Sequence, residues 1–81
     1  MIEIKILGPG CQKCKVAESQ VKRAVAELNR NDISIIKVER LEEIMKYNIL
    51  STPALVVNGV LKTVGRVPSM EDIKRFIHEA S

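Results

Sequence analysis

Ile2-Glu3-Ile4-Lys5-Ile6-Leu7-Gly8-Pro9-Gly10-Cys11-Gln12-Lys13-Cys14 is the stretch on which the fold turns. Its first six residues are rich in β-branched side chains and alternate apolar with charged, the period-two pattern of a strand. Gly8-Pro9-Gly10 ends that strand. From Gln12 to about Arg30 the period changes. Cys14, Ala17, Val21, Ala24, Val25 and Leu28 recur three or four positions apart, which is one face of a helix. Lys13, Lys15, Glu18, Lys22, Arg23 and Glu27 take the other face, with Glu18 and Lys22 spaced for an i,i+4 ion pair. A close pair of cysteines thus lies where a strand hands over to a helix.

Working outward, Asn29-Arg30-Asn31-Asp32 closes the helix, and Ile33-Ser34-Ile35-Ile36-Lys37-Val38-Glu39 reads as a second strand. Leu41, Ile44 and Met45 mark a short helix from about Arg40 to Tyr47, with Asn48 as its stop. Thr52-Pro53 precedes the apolar run Ala54-Leu55-Val56-Val57. Asn58-Gly59 then gives a strong hairpin signal, and Val60 to Val64 is the returning strand. Ser69 caps a last helix, with Asp72 in the capping-box position and Ile73, Phe76, Ile77 and Ala80 on its apolar face. The order β-α-β-α-β-β-α follows. The first β-α-β unit predicts a parallel, right-handed crossover and the hairpin an antiparallel pair. The expected fold class is α/β: a four-stranded mixed sheet with helices on both faces, one domain over residues 1–81.

Composition narrows the function. Of 81 residues, 25 are Ile, Leu or Val, enough for a small core and too many for a disordered chain. The aromatics are Tyr47 and Phe76 alone, so modules that stack bases on aromatic platforms fit poorly and no nucleic-acid partner is expected. The apolar runs are too short for a membrane span. The amino terminus lacks a signal-peptide core, and the expected location is the cytoplasm. A net charge of +3 comes from 13 basic and 10 acidic residues without a like-charge block, which reads as a solvated mixed surface or a weak anionic partner. Gly8-Pro9-Gly10 lacks the Gly-Lys-Ser/Thr ending of a phosphate loop. His78 stands alone on a polar helix face, and Tyr47 reads as packing against the short helix.

Two cysteines cannot build the multi-bridge framework of small secreted proteins, and a close pair in a cytosolic chain points to redox or metal chemistry. One-turn spacing allows the two sulfurs to approach disulfide distance. The helix amino terminus offers unpaired N–H groups and a positive dipole end, and Lys13 and Lys15 add cationic charge. All of these favour a thiolate. Cys14 belongs to the apolar stripe and should be shielded. Cys11 sits at the helix entry beside Gly10, whose small size leaves room for a partner. Cys11 is therefore the expected attacking thiol and Cys14 the resolving one, with Lys13 tuning the first.

The strand–CxxC–helix opening, together with Lys46-Tyr47-Asn48-Ile49-Leu50-Ser51-Thr52-Pro53-Ala54-Leu55-Val56-Val57-Asn58-Gly59, resembles the thioredoxin superfamily. The chain is most similar to its small glutaredoxin-like thioredoxins, also called small redox-active disulfide proteins. The resemblance implies a thioredoxin fold, a redox-active Cys11–Cys14 disulfide, and a cis Thr52–Pro53 bond facing it. It further implies that Thr52 backbone groups pair with an extended substrate segment. The implied partners are disulfide-containing proteins and a thioredoxin-reductase-like electron donor; the chain is expected to act as a monomer without cofactor or metal. Gly10 stands where larger thioredoxins carry Trp, and Gln12-Lys13 where they carry Gly-Pro. Gly65-Arg66-Val67-Pro68-Ser69 does not reproduce the Gly-Gly-Asp element of glutathione-binding glutaredoxins. Glu3 is the nearest first-strand acid and is expected to face solvent. The alternatives are a copper or zinc carrier using the CxxC pair and a thioredoxin-like adaptor without turnover.

Overall fold

The computed structural model describes residues 1–80. Strand β1 (Ile2–Leu7) is followed by helix α1 (Gln12–Leu28), strand β2 (Ile33–Val38), helix α2 (Leu41–Met45), strands β3 (Ala54–Val57) and β4 (Val60–Val64), and helix α3 (Met70–Ala80). The sheet order is β2-β1-β3-β4, with β1 and β2 parallel and the other neighbours antiparallel. The α/β reading therefore holds. A parallel pair needs a long crossover, which α1 supplies, whereas β3 and β4 join through two residues. Those two are Asn58 and Gly59, both at positive φ (49° and 80°), the geometry of a primed hairpin turn.

Alternation along β1 decides which helix packs where. Ile2, Ile4 and Ile6 point to one face and join Val21 and Ala24 of α1, Leu55 and Val57 of β3, and Ile73, Phe76 and Ile77 of α3 in the main core. Leu7 begins the other face and packs with Ile44, Ala54 and Val56, flanked by Val38, Tyr47 and Ile49. Helices thus cover both faces, α1 and α3 on one and α2 on the other.

Two boundaries shift from the sequence reading. Helix α1 stops at Leu28 because Asn29 adopts a left-handed conformation (φ 51°) and its N–H bonds to the Ala26 carbonyl. Helix α2 keeps only five residues, and its apolar marks are misleading: Leu41 and Met45 are 65% and 62% exposed, while Ile44 is buried. A helix of so few residues can set only one side chain squarely on the sheet, and Tyr47 and Ile49 complete the packing from the turn that follows. Among the described residues, no helix is long and apolar enough to cross a membrane.

Candidate functional site

The end of β1, the start of α1 and the loop before β3 meet at one edge of the molecule. Cys11 is the residue that caps α1. Its backbone is extended (φ −65°, ψ 166°), its carbonyl accepts from the Lys15 N–H at 3.0 Å, and its Sγ accepts from the Cys14 N–H at 3.2 Å. The cap role that serine or aspartate oxygen usually fills is taken here by sulfur. A thiolate at this position would accept the same N–H and lie at the positive end of the helix. Cys11 is exposed and Cys14 is 5% exposed, as their places in the helical pattern require. The two are joined as a disulfide with Cα atoms 5.0 Å apart. Gly10 leads into the cap at φ +94°, a conformation unfavourable for any residue with a Cβ.

Gly8 does more than end the strand. It is buried, its N–H bonds to the Val38 carbonyl at 2.9 Å, and a Cβ built there would overlap Cys14 Sγ and approach Thr52 Cβ to 3.9 Å. Gly8 is thus the floor on which the Cys14 sulfur rests, with Thr52 beyond it. No sequence pattern distinguishes such a glycine from one required by a turn. The Thr52–Pro53 peptide bond is cis, Pro53 is buried, and its carbonyl accepts from the Gly65 N–H at 2.8 Å, which ties this loop to the end of β4. Of the residues singled out from sequence, Cys11, Cys14 and Gly10 lie together at the helix entry, Thr52 comes close to Gly8 just ahead of the cis bond to Pro53, and Lys13 stands exposed within the cysteine loop.

Behind Cys14 lies a cavity of about 60 Å³, lined by Gly8, Cys14, Glu18, Lys37 and Glu39 among others. Glu18 was expected to pair with Lys22, and does so at 3.0 Å. It also meets Lys37 of β2 at 3.4 Å, and Lys37 reaches Glu39 at 3.8 Å. The bond from Lys22, aided by Lys37, holds the Glu18 carboxyl below the usual glutamate range. Sequence spacing could reveal only the Lys22 half of this cluster. Lys37 arrives through the parallel pairing of β1 with β2, which sets it beside Ile6. Glu3 is exposed and pairs with Lys5 at 3.7 Å. Lys5 also donates to the Tyr47 hydroxyl at 3.4 Å, and His78 is exposed on α3.

Comparisons with known proteins agree with this geometry. The thioredoxin domain model matches residues 2–78. A thioredoxin of Methanothermobacter thermautotrophicus is 36% identical over 77 residues, covering 95% of this chain and 99% of the relative. A thioredoxin of Methanocaldococcus jannaschii is 39% identical over 74 residues, covering 91% of this chain and 84% of its own. Among solved structures, a thioredoxin-2 described as a component of malaria parasite protein secretion machinery superposes with a TM-score of 0.73 at 16% identity, covering 98% of this chain and 82% of that one. The oxidised thioredoxin of Plasmodium falciparum gives 0.66 at 21% identity, with 98% and 80% covered. These two likenesses concern the fold. With the family model spanning nearly the whole sequence and a disulfide at the helix entry, the chain belongs to the thioredoxin family of thiol–disulfide oxidoreductases.

Proposed function

We propose that this protein is a cytoplasmic, monomeric reductant of protein disulfides. The observation that carries the reading is the asymmetry of one disulfide: an exposed, helix-capping Cys11 sulfur joined to a buried Cys14 sulfur. In the dithiol form the Cys11 thiolate attacks a substrate disulfide, forming a mixed disulfide and releasing one substrate thiolate. Cys14 then loses its proton and attacks Cys11 Sγ. The Cys11–Cys14 bond forms, the mixed disulfide breaks, and the second substrate thiolate leaves. Two electrons have passed to the substrate, and a thioredoxin-reductase-like donor restores the dithiol. Lys13 and the helix terminus favour the Cys11 thiolate. Thr52, close to Gly8 and ahead of β3, offers backbone groups to an extended substrate segment, and Gly10 leaves that approach open.

A copper or zinc carrier resembling the heavy-metal-associated domains, which also place CxxC between a first strand and first helix, would run β-α-β-β-α-β, whereas this chain runs β-α-β-α-β-β-α and ends its described residues in a helix. Two thiolates also leave a tetrahedral zinc site half filled. The test is reduction of insulin disulfides with dithiothreitol or a candidate reductase as donor. The wild-type protein should accelerate the reaction, and Cys11→Ser should abolish the effect. Cys14→Ser should accumulate a mixed disulfide through Cys11, identified by mass. Turnover that survives Cys11→Ser would overturn the assignment of roles.

A further inference from the structure

Ten of the thirteen basic residues form salt bridges within the chain. Among the described residues, the three that form none are Lys13, Lys15 and Arg23, and all three lie on α1, the helix that Cys11 caps. Among the described residues, the basic side chains are therefore salt-bridged except at these three positions of α1, of which Lys13 and Lys15 lie within four residues of Cys11 while Arg23 sits farther along the helix and interacts with Glu27. Lys15, Ser19, Lys22, Arg23 and Ala26 follow i, i+4, i+7, i+8 and i+11 spacing, so they form one strip along the outside of the helix. The small residues Ser19 and Ala26 leave a shallow open hollow of about 430 Å³ between the cations. The one carboxylate in it, Glu18, is already held by Lys22 and Lys37. The first turn of α1 carries no acidic residue.

We infer that this strip is a docking surface for an acidic protein segment adjoining the target disulfide, and that it selects among substrates by charge. The inference rests on the disulfide-reductant reading and adds its substrate class. From Lys15 to Arg23 the helix rises about 12 Å, which an extended segment covers in roughly four residues. Acidic side chains within about four to six residues of the substrate cysteine therefore reach the strip while that cysteine meets Cys11. Opposite charge raises encounter rates by about 10-fold or more, and salt removes the gain.

The test uses three synthetic peptides sharing one disulfide ring and differing only in a flank of glutamates, serines or lysines. Reduction by the wild-type dithiol protein is followed at low and high salt, with the serine peptide supplying the reference rate. The acidic peptide should react at least about 10-fold faster than the basic one at low salt, the ratio shrinking toward unity as the Debye length falls. The double variant Lys15→Glu/Arg23→Glu should lose or invert the ratio. Lys46→Glu/Arg75→Glu, which reverses the same amount of charge on other elements, should keep most of it. Equal rates for acidic and basic peptides, or equal loss in the two double variants, would overturn the docking surface while leaving the reductant reading intact. Failure to reduce even the serine peptide would overturn the reductant reading and the inference with it.

Discussion

Cys11 and Cys14 carry the same functional group and differ only in where the helix puts them. Exposure and the bond from the Cys14 N–H fall to Cys11, while Cys14 is enclosed. Alkylation of the reduced protein near neutral pH should therefore label Cys11 at least about 10-fold faster than Cys14, as read by peptide mass mapping. Equal labelling would remove the distinction between attacking and resolving thiols. Gly8 matters for a different reason, since a Cβ there meets the Cys14 sulfur. The sulfur belongs to a short disulfide loop and has no free side-chain length with which to retreat. Gly8→Ala should cost about 1–3 kcal/mol, the usual penalty of overpacking, seen as a lower urea midpoint of the oxidised protein. An unchanged midpoint would show that β1 yields at its end.

At the level of elements, α3 is held at its start by Ser69, whose Oγ accepts from the Asp72 N–H at 3.1 Å and whose carbonyl accepts from the Ile73 N–H at 3.0 Å. Ser69→Ala should cost about 1 kcal/mol, and Ser69→Asp should restore most of it. Chemical denaturation of both variants checks this. Strand β1 is the element on which the others depend. It pairs with β2 and β3, and it feeds Ile4, fully buried, into the main core. Ile4→Ala should cost about 2–5 kcal/mol, since the strands on either side hold the backbone and leave the cavity unfilled. Gly8 directly follows this strand, so the site inherits its position from a strand that is paired on both sides.

For the whole molecule, the surface charges set the response to acid. Glu18, Glu27 and Asp32 are held below their ordinary values of 4.5, 4.5 and 3.8, chiefly by side-chain bonds from Lys22, Lys74 and Arg30. A carboxylate depressed in the folded state adds stability that is fully present above its unfolded value and is lost as pH falls through the folded one. The urea midpoint should therefore decline from about pH 5 downward and stay nearly level between about pH 6 and pH 8. Because Glu27 and Asp32 lie at the surface and Glu18 is only partly covered, the share of these pairs should be modest and should shrink at high salt. A midpoint that holds steady down to about pH 3 would show that the pairs contribute nothing.

Period-two and period-3.6 patterns in Ile2–Leu7 and Gln12–Leu28 determined the opening strand and helix, because side-chain direction follows directly from backbone geometry. Asn58-Gly59 determined the hairpin for the same local reason. The cysteine pair was legible too, since its exposure difference is written in the helical register. The sequence by itself did not reveal that Gly8 lies under Cys14, that Lys37 crosses from β2 to Glu18, or that Leu41 and Met45 of α2 face outward. Each of these depends on which segments lie side by side, and packing between distant segments leaves no spacing rule in the chain. The same holds for charge. Composition counted 13 basic and 10 acidic residues, and only the folded arrangement of partners left Lys13, Lys15 and Arg23, among the described residues, without a salt bridge on the helix that Cys11 caps.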